Sequence, residues 1–280
     1  MKIQKLWKPC LAALLLTSAA VQADEVNDPP VTTEPTTTEP APATKPATKP
    51  KTPRKYDGED KAKPTTAKTP RVKGTAYVRV LHAVVGAPDA DIYLDGKIVL
   101  TKVAFKDVSK YLPVTTGKHA LKITETGKTD ALLTGSASFN KDKFYTVAAF
   151  GEAGNTDASK PAFLNINEST GKETASSKGK ARVFVTHLAP GAPTVDITTP
   201  SKNKKGYASF LTKVEYAKKR SKTAKAATTI LQVRADGKVI KEIADVKLEA
   251  DHRYSVFAVG KVGGEGDSAF DVIVKPAATQ

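Results

Sequence analysis

The sequence predicts an all-β protein made of two tandem copies of one small sandwich or barrel domain, and three observations lead there. From Ala76 onward, short β-branched and aromatic runs alternate with Gly, Pro, Asp and Asn, at the roughly 8–12-residue spacing of sandwiches and barrels. Helical periodicity is missing almost everywhere; only Tyr207 to Lys219 is read as a short helix. A set of residues also recurs along the chain, the mark of a repeated structural unit. His82, Ala87-Pro88 and Asp91 return 105 positions later as His187, Ala192-Pro193 and Asp196, and Phe105 and Tyr111 align at that offset with Phe210 and Tyr216. Farther on, Leu121, Ile123 and Gly127 align with Leu231, Val233 and Gly237, and Tyr145 with Tyr254, at offsets of 109 to 110. The extra residues of the second repeat are therefore expected between Tyr216 and Leu231.

Taken in order, residues 1–23 read as a cleavable signal peptide. Lys2, Lys5 and Lys8 precede an apolar run from Leu11 to Ala20, and Val21-Gln22-Ala23 offers small residues at the cleavage positions before acidic Asp24. The run is shorter than the about 20 residues a membrane helix needs. Localisation is accordingly expected to be exported, periplasmic or extracellular, with cleavage after Ala23. That cleavage removes Cys10, the one cysteine of the chain, so disulfides are not expected to hold the fold.

Residues 24–74 form a low-complexity linker holding 10 of the 18 prolines. With so few large apolar side chains it cannot offset the entropy of ordering, and disorder is expected. Strands are expected in the first domain, residues 75–168, at Tyr77–Ala83, Ile92–Leu94, Lys97–Thr101, His119–Thr124, Leu132–Phe139, Tyr145–Phe150 and Ala162–Asn167. Asp95-Gly96 and Asp236-Gly237 mark two-residue hairpins. A Ser/Thr/Lys/Gly-rich linker, 169–180, is expected to join the domains flexibly. The second domain, 181–276, is expected to carry strands at Ala181–His187, Val195–Thr198, Thr229–Ala235, Val239–Val246, Tyr254–Val259 and Phe270–Val274.

Charge is the main functional signal. The chain carries 44 Lys and Arg against 29 Asp and Glu, an excess that favours acidic partners or serves solubility alone. Between Ser201 and Ala226 stand Lys202, Lys204, Lys205, Lys213, Lys218, Lys219, Arg220, Lys222 and Lys225 against a single acid, Glu215. These nine are the candidate polyanion-binding residues, with an acidic polysaccharide or other envelope polyanion as partner. Protein partners in the envelope are a further possibility; nucleic acid is not the expected partner.

Catalytic signatures are absent from the sequence: it has no nucleophile elbow, phosphate loop or dinucleotide fingerprint. The four histidines, His82, His119, His187 and His252, show no paired ligand spacing, so neither a metal site nor a cofactor is expected. Asp89, Asp91 and Asp95 lack the glycine and terminal glutamate of a calcium loop. His82 with Asp91, and His187 with Asp196, read as structural pairs in which the histidine donates to the aspartate of the next strand and pins the Ala-Pro turn. A proton-transfer or binding role is the alternative reading.

The string from Val78 to Leu112 resembles the opening of domain of unknown function 4397. It has the Val78-Arg79-Val80-Leu81-His82-Ala83 strand, Ala87-Pro88, the Asp91 to Gly96 hairpin, then Phe105, Ser109, Tyr111-Leu112 and Gly117. Phe144-Tyr145-Thr146-Val147, ending at Gly151, matches that family's last segment, whereas the second repeat has Thr198-Thr199-Pro200 in place of the Asp-Gly hairpin. The resemblance implies an immunoglobulin-like or transthyretin-like sandwich on an exported envelope protein, a non-catalytic binding or structural module. A fainter likeness, carried by Arg79 and Tyr254, runs to the periplasmic accessory protein of alginate O-acetylation and implies the alternative of an accessory subunit in an exopolysaccharide-modifying complex.

Overall fold

A computed structural model describes residues 74–169, 178–201 and 206–277. The expected signal peptide, nearly all of the tether, residues 170–177 of the linker, and Lys202, Lys204 and Lys205 lie outside the described residues. The described chain is all-β. The first repeat holds β1 (Ala76–Val85), β2 (Ala90–Leu94), β3 (Lys97–Val103), β4 (Leu112–Val114), β5 (Gly117–Glu125), β6 (Ala131–Phe139), β7 (Phe144–Glu152) and β8 (Ala162–Asn167). The second holds β9 (Lys180–His187), β10 (Val195–Pro200), β11 (Tyr207–Val214), β12 (Lys219–Lys225), β13 (Ala227–Ala235), β14 (Lys238–Leu248), β15 (Arg253–Val259) and β16 (Asp271–Ala277). The short helix expected over Tyr207 to Lys219 is instead β11, a turn and the first residue of β12.

Each repeat builds two four-stranded sheets in the same order, β4-β1-β7-β8 with β3-β2-β5-β6, and β12-β9-β15-β16 with β11-β10-β13-β14. The first strand of each repeat runs parallel to the seventh, Val80 beside Val147 and Val185 beside Val256. An immunoglobulin constant domain places its first strand next to its second. Here those two strands lie in different sheets, so of the two sandwich types expected the transthyretin-like one stands. The Asp-Gly turns form as read: Asp95 and Asp236 take φ of 50° and 48°, followed by Gly96 and Gly237 at 76° and 74°, the doubly positive φ of a type I′ turn. Tyr145 and Tyr254 are equivalent in structure as in sequence. Each phenolic oxygen accepts a hydrogen bond from the backbone five residues earlier, from Asn140 at 3.0 Å and from Glu249 at 2.9 Å.

Burial shows how the repeats meet. All ten residues of β1 and all seven of β15 are buried, without the in–out alternation of a sheet that faces water on one side. One face of each of these strands enters its own sandwich, as Val78 and Val256 do. On the other face Leu81, Ala148, Phe150 and Ile166 pack with Leu188, Phe257 and Val259 of the second repeat. Each large side chain buried there contributes about 1.5–3 kcal/mol. A packed apolar contact between two sheets replaces the flexible joint expected from the linker's composition.

Register also relocates the insertion. Lys102 and Lys213 both take positive φ, 54° and 52°, and both donate their backbone N–H to the repeat-matched aspartate, Asp91 at 2.9 Å and Asp196 at 2.8 Å. They are equivalent at an offset of 111, so the added residues lie before Lys213. Leu94 pairs with Lys97 across Asp95-Gly96, whereas Pro200 pairs with Tyr207 across six residues. The second repeat is thus lengthened in its β10–β11 hairpin, not between Tyr216 and Leu231. Phe105 accordingly matches Tyr216 and not Phe210: each ring meets the repeat-matched histidine edge-on, at 6.1 Å from His82 and 5.8 Å from His187.

Candidate functional site

The basic segment forms the open edge of the second sandwich, where β11 ends one sheet and β12 ends the other. Along β12 and the residue just before it, the two-residue period exposes Lys218, Arg220 and Lys222. Arg220 Nη1 reaches across to donate to Thr212 O at 2.5 Å, and Lys222 Nζ lies 5.5 Å from the Phe210 ring centroid. Lys213 stands exposed on the kink that Asp196 holds, and Lys225 is exposed at the end of β12. Lys219 points the other way: it is half-buried, and its ammonium donates to Asn167 O of the first repeat at 2.6 Å. Burial pushes its pKa down, against the opposing pull of Glu168. The six described candidates therefore divide, five on the exposed edge and Lys219 in the contact between repeats. Lys202, Lys204 and Lys205 fall in the sequence between β10 and β11, outside the described residues.

The repeat-matched histidines and aspartates do not bond each other. His82 Nε2 meets Pro88 O at 3.1 Å while its Nδ1 accepts from the Val84 N–H at 3.3 Å. His187 does the same with Pro193 O and the Ala189 N–H, at 3.1 and 3.3 Å. An Nδ1 that accepts and an Nε2 that donates define the neutral Nε2–H tautomer. Burial lowers both pKa values, which the same hydrogen bonds only partly oppose. The Ala-Pro turn is pinned as expected, but by a carbonyl contact. Asp91 works elsewhere, accepting from Lys102 N, from Thr126 Oγ1 at 3.1 Å and from Gly127 N at 3.1 Å, so it ties the β3 kink to the β5–β6 turn.

The strongest polar constellation escaped the sequence reading. Glu168, just past β8 and fully buried, accepts from Arg79 Nη2 at 2.6 Å, Thr146 Oγ1 at 2.7 Å and Ser255 Oγ at 2.6 Å, and from Tyr111 Oη. Arg79 also donates to Thr146 Oγ1 at 2.8 Å and to Pro276 O at 3.0 Å. Ser255 and Pro276 belong to the second repeat, so this network fastens the two sheets together. Burial opposes charge on Glu168, yet Arg79 and the three hydroxyl hydrogen bonds outweigh it and hold the carboxyl below its ordinary range. The available signal was an arginine inside an apolar strand, which needs a buried partner. Arg79 and Tyr254, carriers of the fainter likeness, are both interior, with 4% and 3% of their surface exposed.

A cleft of ≈ 80 Å³ opens within the first sandwich, lined by apolar residues including Val78, Val80, Val99, Leu112, Leu121 and Phe163. Among the described residues no charged group lines it, so it offers room for a small apolar group. In the second repeat the places of Val99 and Leu112 are taken by Phe210 and Lys222, which pack on each other.

Residues 76–198 match the model of a family described as domain of unknown function, DUF4397. The chain resembles DUF4397 over that stretch. The DUF4397 segment starts with β1 and ends inside β10, so it contains His82, Asp91, Arg79, Glu168 and the apolar cleft, while the β11–β12 edge lies beyond it. No curated protein matches the chain. Among solved structures, a candidate cell adhesion protein from Bacteroides ovatus is similar at 10% identity and a TM-score of 0.25, covering 75% of this chain and 98% of its own. A likeness that slight carries no argument about function.

Proposed function

We propose that the protein is an exported, non-catalytic module of the cell envelope that holds an acidic polysaccharide or similar polyanion along the β11–β12 edge. The reading rests on one observation: Lys213, Lys218, Arg220 and Lys222 stand exposed where the edge strands of two sheets meet. A row of cations along β12 with Lys213 across from it on β11 suits a linear chain of negative charges better than a single small anion. Near an anionic surface each such residue contributes about 1 kcal/mol within a Debye length of about 8–10 Å. The first repeat lacks the row, because the place of β12 is held there by the three-residue β4, Leu112-Pro113-Val114.

The test uses the full chain on immobilised alginate or heparin over a salt gradient. Changing Lys218, Arg220 and Lys222 to Glu removes three contacts, so affinity is expected to fall by at least about 100-fold and the salt dependence to flatten. Lys219→Glu is the wrong probe, since its ammonium serves the contact between repeats. Equal retention of the triple variant and the parent rejects the reading.

A further inference from the structure

Among the described residues eight strands lie at sheet edges: β3, β4, β6, β8, β11, β12, β14 and β16. An edge strand presents unpaired backbone groups to any passing strand, and proteins guard such edges with Lys, Pro, shortness or cover. Seven of the eight are guarded. Lys97 and Lys102 stand in β3, Pro113 in the three-residue β4, Lys213 in β11, four basic residues in β12, and Lys275 with Pro276 in β16. β8 is short, follows Pro161, and has its end carbonyl Asn167 O taken by Lys219.

β6 is the exception. Its nine residues, Ala131-Leu132-Leu133-Thr134-Gly135-Ser136-Ala137-Ser138-Phe139, include no charge and no proline, and six of them are exposed. Leu132 leaves 50% of its surface in water. Cover comes from β8: the Phe163 ring lies against the inward face of Gly135, and toward the C-terminal end Asn165 Nδ2 donates to Ser138 O at 3.0 Å. The equivalent strand of the second repeat, β14, carries Lys238, Lys241, Glu242, Asp245 and Lys247 along the same edge position. One repeat keeps the guard and the other lacks it.

We propose that β6 is a strand-addition site at which two molecules of this chain pair, antiparallel, through their β6 edges. Self-pairing suits the charges. Lys128 and Asp130 precede β6, and Lys141, Asp142 and Lys143 follow it. An antiparallel pair centred on Gly135 sets the first group of one molecule beside the second group of the other, Lys128 toward Asp142 and Asp130 toward Lys141, so unlike charges meet at both ends. Opposite charges facing one another across a strand pair are favourable, and like charges unfavourable. The neutral strand between them gives no repulsion despite the +15 charge of the chain. A two-fold axis through Gly135 makes the contact closed, so the product is a dimer and not a fibre.

Sedimentation velocity of the full chain from micromolar to millimolar concentration tests this, with circular dichroism to confirm that each variant keeps its sheets. The parent is expected to pass from monomer to dimer, and Leu132→Lys and Ser136→Lys, both at exposed positions, each to weaken the dimer by at least about tenfold. Val239→Lys on β14 is expected to change nothing. In a Cys10→Ser background, Thr134→Cys and Ser136→Cys molecules mixed together are expected to cross-link to each other on oxidation more than to themselves, because the register sets residue 134 of one molecule opposite residue 136 of the other and only facing cysteines come within disulfide reach. A chain that stays monomeric throughout, or a dimer indifferent to both lysines, overturns the proposal. So does a shift to longer, concentration-dependent polymers.

Discussion

Glu168 shows how one residue can carry the joint between two domains. Its carboxylate and the Arg79 guanidinium are both interior, and removing one partner of a buried pair leaves the other charge uncompensated, at a cost of about 3–5 kcal/mol. Glu168→Gln is therefore expected to lower unfolding stability by that amount, whereas replacing Arg79 and Glu168 together by Met is expected to recover most of it. Chemical denaturation of the three proteins checks this, and equal stability of Glu168→Gln and parent would refute it. The pH dependence follows from the direction of the shift. A carboxyl held below its ordinary 4.5 in the folded protein contributes stability that is complete above the unfolded value and lost as pH falls through the folded one. The Glu168 contribution is thus expected to persist at pH 5 and disappear only in stronger acid. None of this was legible at Glu168 in the sequence, where it sits between Asn167 and Ser169 with nothing to mark it as interior. The histidines were half legible: their recurrence marked a turn-holding role, but the acceptor proved to be a backbone carbonyl, which leaves no trace in residue identity.

Among the elements, every strand expected from alternation or β-branched runs is present, and the three that were not expected have two physical causes. β4 has three residues, too few to show a period. β11 and β12 are edge strands with much of their surface in water, so β12, Lys-Arg-Ser-Lys-Thr-Ala-Lys, alternates between cations and small polar groups and shows no apolar face. The insertion was misplaced for a related reason: matching by residue type aligned Phe105 with Phe210, while the backbone aligns it with Tyr216. The corrected position makes a prediction. Replacing residues 201–206 by Asp-Gly restores the hairpin of the first repeat, in which the strands close over two residues. The protein is expected to keep its sheet content, because the new turn has the type I′ chemistry that Asp95-Gly96 already uses, and to elute from a polyanion column at lower salt through loss of Lys202, Lys204 and Lys205. Unchanged elution would confine the basic site to the strands.

For the whole molecule, the shared core sets the unit of stability. Phe257 is fully buried against residues of the first repeat, and neither sandwich can present that face to water without losing contacts worth several kcal/mol. Limited proteolysis is expected to cut within residues 170–177, since polar linkers are where proteases act. The two fragments are nonetheless expected to co-elute in gel filtration and separate only in denaturant. Fragments that part in native buffer would show the contact to be too weak to hold unlinked halves. The contact has a further consequence for which halves can meet. It is made from equivalent patches, Ala83 and Leu188, Ala148 and Phe257, Phe150 and Val259, as in a symmetric pair of subunits. At one matched position the symmetry is broken: Arg79 stands in the first patch and Phe184 in the second. Two first patches brought together would bury two guanidinium groups, and two second patches would lack the carboxylate that ties Ser255. Each patch therefore discriminates against its own kind, and a newly made first half is steered toward a second half, the nearest being that of its own chain.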